Sequence, residues 1–147
     1  MTFWKNPKLV SACLLGMDCK YDGGNRLSKK VLKFCQKEGC LPICPEILGG
    51  LPTPRPPCQI LGGDGKDVLR GKAKVIGRDG KNYTQFFIKG AKEVFKIAKI
   101  LNAKEAILKE NSPSCGKRRT GIFRRGEGVL TALLRKNKIK ISSENEL

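Results

Sequence analysis

Residues 8–16 read Lys-Leu-Val-Ser-Ala-Cys-Leu-Leu-Gly, a short apolar run that ends at a glycine. Such a run, closed by a turn residue, is typical of a buried strand. Similar short runs occur at residues 41–44, 72–76, 106–108 and 139–141. We therefore expect several short strands spread along the chain.

Helical patterns separate these strands. Residues 27–38 predict a helix with Ser28 as its N-cap and Gly39 as its stop, and residues 128–136 predict another. The clearest helix follows Thr84, its expected N-cap. One face of that helix carries Phe87, Ala91, Val94, Phe95, Ala98 and Leu101.

Strands that alternate with helices indicate an α/β fold with a mostly parallel sheet flanked by helices. The length of 147 residues fits one compact domain, and we assign residues 1–147 to it. Residues 45–67 contain five of the eight prolines and two glycine pairs. We expect this segment to be a structured loop, because such a composition disfavours helix and sheet interiors.

The composition limits the chemistry. The chain has seven cysteines and no histidine, so the commonest neutral-pH base and nitrogen ligand are absent. An odd number of cysteines cannot all form disulfides. No apolar stretch is long enough for a membrane span or a signal sequence. We expect a cytoplasmic protein whose cysteines are reduced or bound to metal.

The net charge of +17 attracts anions such as nucleotides or RNA. For the scattered lysines, a solvated surface of the kind found in some heat-adapted proteins is the alternative explanation. A cluster of cations follows Cys115 directly, and it fits contact with phosphate or RNA as well as it fits a solvated surface. The cluster comprises Lys117, Arg118, Arg119, Arg124 and Arg125.

Three cysteines come at, or just after, the ends of predicted strands: Cys13, Cys44 and Cys115. Ligands of open α/β sheets bind outside the carboxyl ends of the strands, so one crevice could gather all three thiols. Three thiolates suit a thiolate-binding metal centre with one open position. A catalytic thiol–disulfide pair is the alternative.

The other four cysteines carry weaker signals. Cys35 and Cys40 are expected to pack in the core, although the spacing of Cys40 and Cys44 is also a weak metal-site pattern. Cys19, beside a lysine, is either a packed residue or a fourth thiol or sulfur carrier. The role of Cys58, in the proline-rich segment, stays open.

At these residues the sequence closely resembles the thiouracil desulfidase family. The resemblance rests on five blocks that recur in order over nearly the whole chain. They are Val-Ser-Ala-Cys-Leu-Leu-Gly at 10–16, Cys-Lys-Tyr-Asp-Gly-Gly-Asn at 19–25, Cys-Pro-Glu at 44–46 running into Gly-Gly-Leu-Pro-Thr-Pro-Arg-Pro-Pro at 49–57, Leu-Lys-Glu-Asn-Ser-Pro-Ser-Cys-Gly at 108–116, and Gly-Glu-Gly-Val-Leu-Thr-Ala-Leu-Leu at 126–134.

The resemblance implies a 4Fe–4S cluster held by Cys13, Cys44 and Cys115. It implies non-redox, hydrolytic removal of sulfur from a thiolated pyrimidine, which gives the oxo base and hydrosulfide. It also implies a carboxylate and a serine in catalysis, and these fall on Glu46 and Ser112. From the residues alone, Glu46 could instead cap a helix or pair with Arg55, and Ser112 could simply start a turn.

Other residues of the blocks are candidates for substrate contact. Asp22 and Asn25 would face the pyrimidine ring or simply form a turn, and Ser114 would hold the substrate edge or a water. Arg55 would bind a substrate phosphate or bridge to a carboxylate. Residues 120–123 read Thr-Gly-Ile-Phe where the family often shows an Asp-Gly-Thr-Phe-like run. With the cations nearby, this favours a phosphorylated or RNA-borne thiouridine over a free base.

A different class of function also fits a basic chain with a metal centre. The alternatives in this class are a basic, RNA-binding iron–sulfur accessory protein in tRNA thiolation and a redox sensor. Sulfide release distinguishes the desulfidase from both, and salt-dependent RNA affinity without turnover indicates the binding protein.

Overall fold

The computed structural model describes residues 7–116 and 126–147 and shows a single compact α/β domain. In chain order its elements are β1 (Lys8–Ser11), α1 (Lys29–Glu38), β2 (Cys40–Ile43), α2 (Pro45–Leu48), β3 (Cys58–Leu61), α3 (Gly65–Leu69), β4 (Lys74–Gly77), α4 (Thr84–Leu101), β5 (Glu105–Leu108), α5 (Val129–Lys136) and β6 (Lys140–Ser143). Short 3-10 helices occupy Ala12–Leu15 and Glu144–Glu146. Within the described ranges, no helix has the length and apolar content that a bilayer span requires.

The main sheet has four parallel strands in the order β2-β1-β5-β6, which confirms the predicted sheet. Leu9 of β1 lies opposite Leu41 of β2 and Ala106 of β5. The chain turns to opposite sides of β1 as it forms β2 and β5. Strands β1 and β5 therefore flank a switch point, where ligands of open α/β sheets bind.

The central strands are covered on both faces, because successive side chains of a strand point to opposite sides. Leu9 and Leu108 pack with α4 and α5 in the larger core cluster. Val10 and Ile107 pack on the other face in a smaller cluster, together with Val31 of α1. The sheet is thus the middle of three layers.

The predicted helices largely match the structure. The Ser28 hydroxyl caps α1 by accepting the Val31 N–H at 3.3 Å, and Gly39 ends the helix. On α4, the side chains of Phe87, Ala91, Val94 and Ala98 are buried and those of Phe95 and Leu101 are partly buried, as their spacing predicts. Thr84 is the first residue of α4 and not its N-cap. Its hydroxyl instead accepts the Val75 N–H at 2.9 Å and so links α4 to β4.

The loop expected over residues 45–67 is only partly correct. Residues 49–57 are irregular, but α2 precedes them, and β3 and the start of α3 follow them. Pro45 is compatible with α2 because it occupies the first turn, where its missing N–H is not needed. Strand β3 begins after the last proline of the segment and pairs with β4 in a separate antiparallel hairpin. Residues 12–15, expected to continue β1, form a 3-10 helix.

Two glycines bring α2 very close to α4. A Cβ atom on Gly90 would overlap the Pro45 carbonyl oxygen, and one on Gly49 would overlap the Phe86 carbonyl oxygen. The atoms that would have to move are backbone atoms, which cannot rotate away as a side chain can. The position of α2 is therefore set by direct backbone contact with α4.

We expect Gly90→Ala to lower the free energy of unfolding by about 1–3 kcal/mol, because overpacking displaces α2. This outweighs the gain of about 1 kcal/mol that alanine normally brings to a helix interior. Chemical denaturation measures the change. Lys89→Ala, on the exposed face of the same helix, is the control and should be nearly neutral. A Gly90→Ala protein as stable as this control would contradict the close contact.

Candidate metal centre and active site

Three cysteines lie at the carboxyl ends of three neighbouring strands. Cys13 is in the 3-10 helix after β1, Cys44 follows β2 as the N-cap of α2, and Cys115 lies in the turn after β5. Because β2, β1 and β5 are adjacent and parallel, their ends meet at one edge of the sheet. All three cysteines line one cleft of about 250 Å³, here called the cysteine cleft.

A fourth thiol joins them. The thiol of Cys19 interacts with those of Cys13 and Cys44, and the Cys44 Sγ lies 3.8 Å from the Cys19 carbonyl oxygen. Cys44 lies close enough to Cys115 for its charge to raise the pKa of the Cys115 thiol. Cys19 is buried in the smaller core cluster and also lines the cleft, so the structure agrees with both roles that the sequence left open for it.

Burial and a neighbouring thiol raise the pKa values of two of these cysteines. The hydrogen bond of Cys44 with Cys19, followed by burial, raises the pKa of the Cys44 thiol above its ordinary value. Burial raises the pKa of the Cys115 thiol, against the opposing effect of a hydrogen bond with Ser11. Both thiols are therefore protonated near neutral pH when no metal is bound, and a bound metal would hold them deprotonated.

The described residues do not form a site for a single metal ion. Across residues 7–116 and 126–147, no three Cys, Asp or Glu side chains come close enough to hold one metal ion. In an iron–sulfur cube each cysteine binds a different iron, so its ligands stand farther apart than those of one ion. The cleft offers three cysteine thiols, which are the donors that hold such a cluster.

Glu46 brings a carboxylate to the same cleft from α2, two residues after Cys44. Its Oε1 accepts a hydrogen bond from Nε of Arg55 at 2.9 Å, and its Oε2 accepts one from the Ser114 hydroxyl at 3.2 Å. The side chain is only 16% exposed. Both oxygens are thus held, and the remaining lone pairs stay available to a molecule in the cleft.

Arg55 makes the carboxylate contact that was one of its two expected roles. Its side chain is 3% exposed and pairs with Glu46. Its other guanidinium nitrogens donate to the carbonyl oxygens of Pro52 and Cys19 and to the Thr53 hydroxyl. These contacts are all within the protein.

The two serines of the Cys115 turn have different surroundings. Ser112 lines the cleft, and its Oγ accepts the N–H groups of Ser114 and Cys115 at 3.2 and 3.1 Å. Ser114 is 2% exposed and donates its hydroxyl to Glu46, so it supports the carboxylate from behind and does not face the cleft. Ser112 therefore holds the turn of Cys115 and presents its hydroxyl to the cleft.

Asp22 and Asn25 form the turn that was the alternative to substrate contact. The Asp22 carboxylate accepts the Gly24 N–H at 2.9 Å, and this bond lowers the pKa of Asp22. The Asn25 amide donates to Asp18 at 2.8 Å. Neither residue lines the cysteine cleft.

The cleft also contains residues that the sequence did not single out as site residues: Lys20, Tyr21, Arg78 and Lys109. Tyr21 and Lys109 belong to the family blocks, and Lys109 directly follows β5, so their positions carried a signal. The position of Arg78 carried no such signal in the sequence, because only the β3–β4 hairpin brings this residue to the cleft. Cys58 lines the cleft too, and burial raises its pKa to about 11.

Two expectations about cysteines need correction or completion. Cys35 and Cys40 do pack against the smaller core cluster, but they are also joined by a disulfide, with 5.1 Å between their Cα atoms. The turn at Gly39 brings the last turn of α1 against the first residue of β2. The expectation that all cysteines are reduced or metal-bound is therefore wrong for this pair.

The basic cluster at residues 117–125 lies outside the described residues.

Comparisons with known proteins agree with this site. Residues 9–146 match the family model of 2-thiouracil desulfurase. The chain is 43% identical over 145 residues to the Uncharacterized protein YbbK of Bacillus subtilis (strain 168), across 95% of this chain and 96% of YbbK. A solved structure, described as the 4Fe–4S-dependent thiouracil desulfidase TudS, aligns with a TM-score of 0.81 and 38% identity, over 97% of this chain and 93% of that one. This chain belongs to the 2-thiouracil desulfurase family.

Proposed function

We propose that this chain is a 4Fe–4S-dependent desulfidase that converts a thiolated pyrimidine to its oxo form. One observation carries the proposal: the cysteines at the ends of three adjacent strands line a single cleft together with the carboxylate of Glu46. The description of TudS as a 4Fe–4S-dependent thiouracil desulfidase supports it.

In this proposal Cys13, Cys44 and Cys115 bind three irons, as the resemblance to the thiouracil desulfidases implies, and all three line the cleft. Cys19 lines the same cleft but is not a ligand in this proposal. When bound, the cluster would supply a Lewis acid for the substrate sulfur at its iron without a protein ligand. Glu46 lines the same cleft as these cysteines, which suits its carboxylate to act on a substrate held there.

Glu46 is the general base for the attacking water. Its carboxylate takes a proton from water as the oxygen adds to the thiocarbonyl carbon. Ser112 already accepts two N–H groups, so its own hydroxyl proton is left to donate into the cleft. The balance is thiocarbonyl plus water to carbonyl plus hydrogen sulfide, without net electron transfer. The reaction is therefore hydrolytic.

For the substrate we propose thiouracil, thiouridine or its nucleotide, with the phosphorylated form favoured. Lys20, Arg78 and Lys109 line the same cleft, and their charges suit a phosphate. Contact of RNA with Lys117, Arg118, Arg119, Arg124 and Arg125 stays a prediction, as does a cytoplasmic location.

The test is anaerobic sulfide release from 2-thiouracil, 4-thiouracil, 4-thiouridine and 4-thiouridine monophosphate. We expect sulfide and the oxo product from the reconstituted protein and none from the iron-free protein. Iron and acid-labile sulfide are measured in each preparation. An iron-loaded protein that binds RNA but releases no sulfide would defeat the proposal in favour of the accessory role.

The ligand set predicts the iron content of cysteine variants. Cys13→Ser, Cys44→Ser and Cys115→Ser should each lose most of the iron, because each removes one of three protein ligands. Cys19→Ala and Cys58→Ala are matched controls from the same cleft and should keep it. Full iron in any of the first three, or loss of iron in Cys19→Ala, would change the assigned set.

Replacement of the base separates chemistry from cluster binding. We expect Glu46→Gln to keep wild-type iron but to lower the rate of sulfide release by about 100- to 10,000-fold, the usual contribution of a general base. Glu93→Gln is the control, because Glu93 pairs with Lys96 on the surface. Near-normal turnover in Glu46→Gln would exclude this carboxylate as the base.

A further inference from the structure

Arg55 is a buried cation for which the proposed reaction has no direct use. Among the ion pairs of the described residues, its side chain is the least exposed cation, at 3%. We infer that Arg55 is a positioning residue that orients the Glu46 carboxylate toward the cleft and fixes it to the wall that carries Cys19. The inference rests on the proposed role of Glu46 as the base.

The guanidinium joins three segments of the chain. Nε donates to Glu46 of α2 at 2.9 Å, and one terminal nitrogen donates to the Cys19 carbonyl oxygen at 2.8 Å. The other terminal nitrogen donates to Pro52 and Thr53 of its own loop at 3.2 and 3.0 Å. The main-chain N–H of Arg55 adds a bond to the Tyr21 carbonyl oxygen at 2.8 Å.

These bonds use four of the five N–H donors of the guanidinium. A phosphate needs a bidentate pair of free donors for tight recognition by arginine. Arg55 has no such pair, since its donors already satisfy acceptors on either side. Arg55 lines the cleft, but its hydrogen bonds go to the carboxylate and the two flanking loops.

Stability alone gives a weak reason for such a residue. A buried ion pair pays a desolvation cost that often cancels its attraction, and apolar replacements are often neutral or stabilising. Orientation gives a stronger reason, because Arg55 holds Oε1 while Ser114 holds Oε2, and together they fix the plane of the carboxylate. A misplacement of the reacting groups by about 1 Å can cost about 100-fold in rate.

Lysine at position 55 cannot form the hydrogen bonds that the Arg55 guanidinium makes to separated acceptors. Its ammonium is a single point charge on a flexible stem, whereas the planar guanidinium reaches separated acceptors in fixed directions. Arg55→Lys keeps the charge and removes the geometry. It therefore separates the orienting effect from simple charge compensation.

The experiment uses the reconstituted protein with Arg55→Lys and Arg55→Ala. We expect wild-type iron content and an unchanged electron paramagnetic resonance spectrum of the reduced cluster. We expect kcat for sulfide release to fall by about 100-fold with little change in KM. Added guanidinium should restore part of kcat in Arg55→Ala, whereas methylammonium should not. Arg135→Ala, whose ion pair with Glu127 lies outside the cleft, is the control for both effects.

A second measurement shows whether Arg55 acts through Glu46. In a Glu46→Gln background, Arg55→Lys should cause little further loss of kcat, because residues that act as a unit are not additive. Additive losses would overturn the inference. So would wild-type turnover in Arg55→Lys, or a raised KM for the monophosphate with unchanged kcat, which would identify a phosphate ligand.

The outcomes separate this inference from the proposed function. Loss of iron in both Arg55 variants, not reversed by guanidinium, would show a structural role and overturn the inference while leaving the function intact. A loaded wild-type protein that releases no sulfide would defeat the proposed function and this inference together. An active wild type with a normal Arg55→Lys defeats the inference alone.

Discussion

The site depends on parallel pairing of β1 with both β2 and β5. Parallel strands end at the same edge, so the residues that follow them are brought together regardless of their separation in the chain. Cys13, Cys44 and Cys115 come from three such ends. A shift of one residue in this register would reverse the faces of Leu9 and Val10, and their separate burial in two core clusters therefore also fixes the cysteines.

The local structure after each strand gives each thiol its direction. A 3-10 helix presents Cys13, the start of α2 presents Cys44, and a turn closed by the Ser112 hydroxyl presents Cys115. One hydrogen bond to Glu46 comes from the same Cys115 turn, and another comes from the loop at Arg55. The proposed metal ligands and the proposed base thus share one framework, which lets a compact domain place both without histidine.

Much of the fold could be predicted from the sequence where the hydrophobic spacing or a helix-capping residue follows a known pattern. The spacing of Phe87, Ala91 and Val94 defined α4, and Ser28 with Gly39 defined α1. The sequence did not reveal α2 and β3, because both are short and the proline-rich composition around them predicts a loop. Packing of α2 against α4 and pairing of β3 with β4 stabilise these two elements. The sequence also did not reveal the Cys35–Cys40 disulfide, which the turn at Gly39 brings together. The carboxylate contact of Arg55 was one of its two expected roles, but its bond to the Cys19 carbonyl oxygen, distant in sequence, was not expected.

The contact between Gly49, Gly90 and the facing backbone has a further consequence for α2. A helix of four residues has little rigidity of its own, yet α2 carries Glu46 and has Cys44 as its N-cap. Backbone contact with α4, which has eighteen residues, keeps α2 rigid. Redesign of the substrate range should therefore vary Tyr21 and Arg78, which line the cleft from other segments, and leave the α2–α4 seam untouched.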